Sequence, residues 1–348
     1  MNRIFLLAIL ALGLTSCKCL FCIDEDLSEC RAEPKIEYDL QLITNVTTEL
    51  ETVLNLEAEL EVQQELRNYL KNIFTDHAHD VSLYFFDDKE PMEQLVVKHD
   101  VMDATQKTYT LTIPRRTYRH IGVANLDENT CVSLRNPENA HSINIVQNQR
   151  EKAGCHETGL FSARLDMDID KDATEDQMFY VHLYMLNCAS ALVLDTEGVD
   201  VHGIRAEASG FYGKYDINTD TYDDSTLGVS VIPDRIAVPH TNNKVMFCAV
   251  NMPSYDPEKQ SRVVVETEEP FIAANADEAL WTYTIYVTMP DGTITKTDLG
   301  MSKPLRAGQL KIIKARISND GSVTTDDSTV GVSVTLDWQS AGDHEVEL

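Results

Sequence analysis

Residues 281–300, WTYTIYVTMPDGTITKTDLG, decide the fold class predicted for this chain of 348 residues. The first eight alternate between two faces: Trp281, Tyr283, Ile285 and Val287 on one, and Thr282, Thr284, Tyr286 and Thr288 on the other. This period of two predicts a β-strand with one buried face. Pro290-Asp291-Gly292 then predicts a tight turn, because proline presets one φ and glycine accepts a positive one. Together they predict two antiparallel strands.

The same alternation recurs along most of the chain. It is clear in DVSLYFFDD (80–88), GLFSARLDMDID (159–170) and VGVSVTLDW (330–338), and Asn319-Asp320-Gly321 repeats the turn signal. Many short strands with regular turns are typical of β-sandwiches. Between Leu50 and Phe74 apolar residues recur at three- and four-residue spacing, which predicts an amphipathic helix near 58–74. We expect this helix to pack on its own domain rather than on a partner.

These patterns predict an all-β protein with two β-sandwich domains in tandem, the first with an α-helical insertion. The boundary is expected near Asp172, where the acidic loop DIDKDATEDQ gives way to the apolar stretch MFYVHLYMLNCASALVLD. The predicted domains are residues 37–172 and 173–348.

The first residues predict export and lipidation. The run from Ile4 to Leu14 is apolar and follows Arg3. This run is too short to span a bilayer, but its length is typical of the apolar core of a secretory signal. Leu14-Thr15-Ser16-Cys17 resembles the lipobox of bacterial lipoproteins. It predicts a signal peptide at 1–16, cleavage before Cys17, diacylglycerol on the Cys17 thiol, an acyl chain such as palmitate on its amine, and a tether over 17–36. The alternative is an ordinary signal peptide with a chance cysteine.

Charge and cysteine content limit the partners and the redox chemistry. The formal net charge of −28 argues against nucleic acid as a ligand. Lipidation of Cys17 leaves seven cysteines, an odd number: Cys19, Cys22, Cys30, Cys131, Cys155, Cys188 and Cys248. In an exported chain the natural candidates for disulfides are Cys19, Cys22 and Cys30, but the sequence does not fix the pairing. Cys188 and Cys248 stand in apolar stretches that predict buried thiols.

Two acidic stretches and one histidine pair are candidate metal sites. The acidic residues alternate in the first stretch (Asp166, Asp168, Asp170 and Asp172) and recur in the second (Asp216, Asn218 and Asp220). Neither has the glycine and glutamate that an EF-hand loop requires, so we expect solvated acidic loops. His77 and His79 have no third ligand near them in sequence. No metal or cofactor is predicted.

Local catalytic motifs are also missing from the sequence. It contains neither a G-x-S-x-G elbow nor a glycine-rich phosphate loop. We therefore predict that the protein is not an enzyme, with an exported hydrolase as the disfavoured alternative. Arg115-Arg116 would suit a trypsin-like protease if its loop were exposed.

Several stretches of this sequence, in their order along the chain, resemble the corresponding stretches of one known family. They are CKCLFCIDEDLSEC (17–30), YDLQLITN (38–45), IFTDHAHDVSLYFFDD (73–88), YTLTIPRRTYRHIGVANL (109–126), HETGLFSARLDMDI (156–169), FYVHLYMLNCASALVLD (179–195) and VGVSVTLDW (330–338). The chain thereby resembles the FimB-type fimbrial anchor proteins, which include the minor fimbria anchor. These are outer-membrane lipoproteins of Bacteroidales-type bacteria.

The resemblance implies a fold, a location and partners. The fold would be two transthyretin-like β-sandwiches, and the protein would be held in the outer membrane by lipid on Cys17, surface-exposed and part of a fimbrium. Its partners would be pilin subunits that exchange β-strands, a form of β-augmentation. As a pilus anchor in cell adhesion, it would attach the fimbria and limit its length.

Two other functions stay open at this point. The family also includes tip and accessory subunits, which residue patterns do not separate from anchors. A surface lipoprotein that binds glycans or host proteins is the other alternative, with Phe211, Tyr212 and Tyr215 as candidates for stacking on sugar. In GFYGKY, a turn between strands is the competing interpretation. Whether strand 330–338 pairs within its own domain or with a neighbour is also open, and we expect self-pairing.

Overall fold

The computed structural model describes residues 35–42, 51–55, 58–75, 77–90, 92–102, 107–170, 175–196, 198–239, 243–257, 279–326 and 330–337. Helix α1 is Leu60–Leu70, residues 51–55 are also helical, and Asp224–Thr226 form a 3₁₀ turn. The strands of the first half are β1 (Lys35–Leu42), β2 (Asp80–Asp87), β3 (Gln94–Val101), β4 (Thr108–Thr112), β5 (Thr117–Ala124), β6 (Val132–Arg135), β7 (Asn144–Gln147), β8 (Phe161–Asp168) and β9 (Gln177–Met185). Those of the second half are β10 (Cys188–Asp195), β11 (Gly203–Phe211), β12 (Lys214–Asp216), β13 (Thr221–Tyr222), β14 (Val229–Val231), β15 (Asp234–Ile236), β16 (Lys244–Asn251), β17 (Trp281–Thr288), β18 (Ile294–Met301), β19 (Leu310–Ile317), β20 (Val323–Thr324) and β21 (Val330–Asp337).

The first sandwich is one sheet folded over on itself. Its strand order is β3-β2-β5-β8-β9-β1-β4, and β8 meets β9 at one end, where Phe161 pairs with Met185. Beyond that end the sheet separates into two layers, β3-β2-β5-β8 and β9-β1-β4. The Tyr38 ring of β1 lies 5.8 Å from the Phe85 ring of β2 and 5.3 Å from the His120 ring of β5. The two layers therefore face each other across an aromatic core.

The second sandwich consists of two five-stranded sheets. Their orders are β15-β16-β10-β19-β20 and β14-β11-β17-β18-β21. The hydroxyls of Ser190 on β10 and Tyr283 on β17 lie 3.0 Å apart across the interior. The predicted hairpin is β17 and β18, and its predicted inner side chains Trp281, Tyr283, Ile285 and Val287 are all buried. The all-β fold of tandem sandwiches with a helical insertion is confirmed.

A four-stranded sheet, β13-β12-β7-β6, joins the two halves of the chain. β7 comes from the first half and pairs with β12 of the second, with Ile145 opposite Tyr215. Asp172 lies outside the described residues, but β8 and β9 on either side of it belong to the same sheet. Because β9 pairs in parallel with β1 along its length, we propose that the boundary between the sandwiches lies at residues 186–187.

Helix α1 packs on the second sandwich rather than on the first alone. Its Tyr69 hydroxyl donates to Asp234 of β15 at 2.5 Å, and Glu59 at its N-terminal end pairs with Lys244 of β16. Val62, Leu66 and Leu70 are buried. The outer face of β10 and β16 carries apolar side chains such as Val193 and Met246, and burying them favours this position over packing within the first domain.

Within the described ranges, no helix combines the length and apolar content needed to cross a bilayer.

We expect Asn187→Ala to lower the free energy of unfolding by about 2 kcal/mol, since it leaves two buried backbone groups unsatisfied. Asn187 is fully buried; its Oδ1 accepts from Leu160 N at 3.1 Å, and its Nδ2 donates to Thr158 O at 2.9 Å. The control is Asn148→Ala. The exposed Asn148 side chain also makes two hydrogen bonds, which water can replace. Guanidinium denaturation should separate the two variants, and equal losses would contradict this account of Asn187.

Candidate functional site

Strand β21 completes the edge of the second sandwich. It pairs antiparallel with β18 along its whole length, from Val330 opposite Met301 to Asp337 opposite Ile294. The expected self-pairing of this strand is what the structure shows. Among the described residues β21 is the last strand of its sheet, and a strand in that position presents backbone groups that can pair with another extended segment. This edge is therefore chemically suited to strand addition.

Strand β1 is held between two neighbours in the first sandwich. It pairs in parallel with β9 and antiparallel with β4. Ile36, Tyr38 and Leu40 point into the core, and the Tyr38 hydroxyl donates to Met167 Sδ at 3.3 Å. Burial raises the pKa of Tyr38 well above its usual range, so this phenol stays neutral. Displacing β1 would break two ladders of backbone hydrogen bonds and open the core.

The cysteines fall into two groups. Cys17, Cys19, Cys22 and Cys30 lie outside the described residues. Cys131, Cys155, Cys188 and Cys248 are free thiols, and the last three are buried, as predicted for Cys188 and Cys248. Burial raises the pKa of Cys155 to about 11. Reactivity requires the thiolate, so this thiol is unreactive at neutral pH.

The first acidic stretch lies partly on a strand. Asp166 of β8 pairs with Arg119, and Asp168 of β8 accepts from the Thr117 hydroxyl at 3.1 Å. Asp172 lies outside the described residues. Asp166 and Asp168 thus interact across the sheet with side chains of the neighbouring strand β5.

The second acidic stretch forms the turn between β12 and β13. The Asn218 side chain accepts from Arg119 at 2.8 Å, and its backbone oxygen accepts from Arg164. Asp220 accepts from the Tyr215 hydroxyl, and Asp216 accepts from Thr219 N at 2.9 Å. This turn of the second half therefore contacts β5 and β8 of the first.

His77 and His79 lie before β2 rather than on a strand. Their rings contact each other edge to face at 4.8 Å. In the described part of the chain, no three His, Cys, Asp or Glu side chains are grouped as a metal site would require. Arg115 and Arg116 lie in the loop between β4 and β5; Arg115 is half-buried, and the exposed Arg116 pairs with Asp87 at 3.2 Å.

The predicted sugar-stacking aromatics are not at the surface. Phe211 is 0% exposed, Tyr212 6% and Tyr215 1%. Tyr212 and Tyr215 pack with Tyr222 in the small core under the four-stranded sheet, at centroid distances of 5.3 and 5.0 Å. The alternative that these rings stack on glycans is wrong, because Tyr212 and Tyr215 fill the joint between the two halves and Phe211 packs on Trp281 inside the second sandwich, at a centroid distance of 5.8 Å.

A groove lies beside α1 that no sequence pattern predicted. Its volume is about 580 Å³, and it lies between the N-terminal end of α1 and strands β10, β19 and β20. Val62, Val193 and Ile312 form an apolar floor, whereas Lys244, Lys314 and Arg316 stand around it. These residues come from separate elements, so no local motif could have identified them. The groove and the edge at β21 are the candidate sites for binding another segment.

Comparison with known proteins is informative about both family and fold. The family model for "Fimbrillin-A associated anchor proteins Mfa1 and Mfa2" matches residues 57–244. A solved structure of a candidate adhesin from Bacteroides ovatus is 12% identical, with a TM-score of 0.51, covering 90% of this chain and 96% of the other. This likeness shows the fold. No curated protein sequence matches the chain significantly.

Two solved fimbrial proteins from Porphyromonas gingivalis are also similar. The fimbrial anchor protein Mfa2 is 13% identical, with a TM-score of 0.44, covering 89% of this chain and 99% of the other. The tip fimbrial protein Mfa3, truncated at its C-terminus, is 12% identical, with a TM-score of 0.38, covering 87% and 99%. The matched family model spans more than half of the chain, and the chain therefore belongs to the fimbrillin-A associated anchor protein family, Mfa1 and Mfa2.

Proposed function

We propose that this fimbria-associated protein is the anchor subunit, a structural rather than catalytic protein, held in the outer membrane by lipid on Cys17. The observation that carries the proposal is the position of β1. This strand begins at Lys35, within the last two residues of the predicted tether at 17–36, and is paired on both sides, with β9 and β4.

Because β1 is paired on both sides, it can resist a pulling force applied through the residues that precede it. A pull on the residues before Lys35 acts along the strand, so hydrogen bonds of both ladders resist it together. The buried side chains Ile36, Tyr38 and Leu40 add an apolar contact that must also break. Two or more acyl chains give stable membrane attachment, with each buried methylene contributing roughly 0.8 kcal/mol. A fibre bound to the folded body would then be tied to the membrane through β1.

The attachment to the fibre is proposed to use β-strand exchange with pilin subunits. β21 forms the edge of its sheet, and an edge strand can pair with an extended segment of a neighbour. An anchor that occupies the base of the fibre would also limit its length. A tip subunit is the second candidate, because an edge strand at β21 would suit it equally well. Its expected place is the end of the fibre far from the cell.

We expect Cys17→Ala to release fimbriae from the cells into the medium, since no lipid would be attached. The measurement is fibre protein in culture supernatant and in membrane fractions, with co-purification of pilin on the wild-type protein. Cys19→Ala is the matched control because it removes a neighbouring thiol and leaves Leu14-Thr15-Ser16-Cys17 intact. Retention of Cys17→Ala in the membrane fraction would refute the lipid attachment.

Localisation on the fibre separates the two subunit roles. Immunogold labelling at the cell-proximal end, with longer fibres when the gene is deleted, would support the anchor. Labelling at the distal end would favour the tip subunit instead. If the lipidated protein is purified from membranes and no pilin co-purifies with it, both fimbrial roles would be contradicted.

A further inference from the structure

We propose that the outward face of β9 and β1 binds an extended basic segment of a partner protein, with one arginine stacked on Tyr180 and paired with Asp39. This inference is independent of the proposed function. It rests on an exposed ring beside two carboxylates that have no ion pair in the described part of the chain. It rests also on a filled site of similar composition in the second sandwich.

Two rows of side chains cross this face of the first sandwich. In the first row Tyr180 of β9 lies next to Asp39 of β1, and in the second Met178 lies next to Glu37. The alternate side chains of both strands point into the core, so these four point outward. The two rows are about 6.6 Å apart, the rise of two residues along a strand.

Two large side chains of this face are open to solvent. Tyr180 is 54% exposed and Met178 is 50% exposed, whereas the other large apolar side chains of β9 are buried or half-buried. The strand itself is not at the edge of its sheet, because it stands between β8 and β1. A tyrosine in this position offers the negative π-face of its ring to a cation, with an apolar thioether beside it.

The neighbouring carboxylates are not neutralised by the described part of the chain. Asp39 accepts a hydrogen bond from Gln41 Nε2 at 3.2 Å. Lys35 stands on the same face of β1 but forms no ion pair with Glu37 or Asp39 in the described structure. A ring and two carboxylates side by side complement a planar cation, which can stack and donate hydrogen bonds at the same time. Arginine is the side chain with that chemistry.

The second sandwich contains a filled arrangement of the same kind. Arg205 of β11 is directly opposite Tyr286 of β17, and its guanidinium carbon lies 4.1 Å from the centre of that ring. Glu207 pairs with the same guanidinium at 3.7 Å. Tyr180 and Asp39 supply the ring and the carboxylate in the first sandwich, but the position opposite Tyr180 carries an acid instead of an arginine. A partner would have to supply the cation.

The spacing of the rows indicates the form of the partner. In an extended segment the side chains of residues i and i+2 point to the same side, about 6.6 Å apart. One cation would therefore meet Tyr180 and Asp39 while the next meets Glu37 and covers Met178. The segment expected here has two arginines separated by one residue.

Titration of the full chain with an arginine peptide tests the proposal at the site itself. The probe is acetyl-GTRTRTG-amide, and the reporter is the Met178 methyl signal of protein labelled with ¹³C at its methionine methyl groups, assigned with Met178→Leu. We expect the probe to shift that signal and to leave the signal of the buried Met246 unchanged. The lysine analogue acetyl-GTKTKTG-amide should bind about fivefold more weakly, because a compact ammonium group lacks the planar surface that stacks on a ring.

Variants separate the ring from the charge. We expect Tyr180→Leu to remove the preference for arginine over lysine, and Asp39→Asn to weaken the binding of both probes about fivefold. Tyr286→Leu is the matched control for the ring, because that ring already holds Arg205. Asp200→Asn is the control for the charge, since it removes one exposed carboxylate of the second half. Both controls should bind the probes as wild type does.

Four results would overturn the proposal. They are an unshifted Met178 signal, equal affinity for the two peptides, equal losses in Asp39→Asn and Asp200→Asn, and a signal that responds to cellohexaose or phosphatidylcholine vesicles but not to the arginine peptide. The last result would assign the face to a glycan or a lipid surface instead.

Discussion

Lowering the pH from 7 to 5 is expected to reduce the free energy of unfolding by about 4 kcal/mol, chiefly through two buried histidines. Burial lowers the pKa of His120 to about 4 and that of His156 to about 3. The unfolded chain, with histidine pKa values near 6.5, therefore binds more protons than the folded chain as the pH falls below about 6.5. Each histidine accounts for about 2 kcal/mol of the loss.

The surroundings of His120 explain why it resists protonation. Its Nδ1 lies 3.0 Å from Tyr84 O, and because a carbonyl can only accept, Nδ1 carries the proton of the neutral ring. Nε2 is buried and has no hydrogen-bond partner among the described residues. The ring stacks on Phe85 at 4.4 Å. A second proton would place an uncompensated charge inside the first sandwich.

His156 is in a similar position near the joint between the halves. Its Nε2 lies 2.8 Å from Gln147 Oε1, while its buried Nδ1 has no partner among the described residues. The carboxyl groups with lowered pKa values, such as Asp223 and Asp320, titrate below this pH range. The histidines should therefore dominate between pH 7 and 5.

The double variant H120N/H156Q tests this account, since asparagine and glutamine can retain the two hydrogen bonds without titrating. Guanidinium denaturation at pH 7, 6 and 5 should show a nearly flat dependence for the double variant and a steep one for wild type. His202→Gln, which removes an exposed histidine, should keep the wild-type dependence. An unchanged slope in the double variant would mean that other groups cause the acid sensitivity.

Local pattern was sufficient to predict the strands of this fold. The alternation around Trp281 and the Pro290-Asp291-Gly292 turn predicted β17 and β18, and the spacing of Leu66 and Leu70 predicted α1. These features depend on residues close together in sequence, where period and turn chemistry act directly. The helix, however, covers strands β10 and β16 that lie more than a hundred residues later.

Long-range pairing is where sequence patterns were least informative. β9 belongs to the first sheet because it pairs with β1, about 140 residues earlier along the chain. Tyr215 is buried because β12 pairs with β7 of the other half. The groove likewise unites α1, β10 and β19, so its charge could not be predicted from any single stretch.

We expect Gly159→Ala to lower the free energy of unfolding by about 3 kcal/mol, through a backbone clash. A Cβ at position 159 would lie 2.0 Å from Ile73 O and 3.2 Å from the Met185 terminal methyl. The backbone at Gly159 has little room to shift, because its N donates to Asn72 O at 3.1 Å and its O accepts from Asn125 at 3.0 Å. The substitution would push the segment after α1 away from the first sandwich.

Gly203→Ala is the matched control for this prediction, because a Cβ there meets nothing within 4 Å. Replacing a glycine by alanine at a tolerant site restricts the unfolded chain and stabilises a protein by about 0.4–1 kcal/mol. The two substitutions should therefore change the guanidinium midpoint in opposite directions. If Gly159→Ala were as stable as Gly203→Ala, the segment after α1 could move freely, and the close contact between Gly159 and Ile73 would not be holding the helix to the first half.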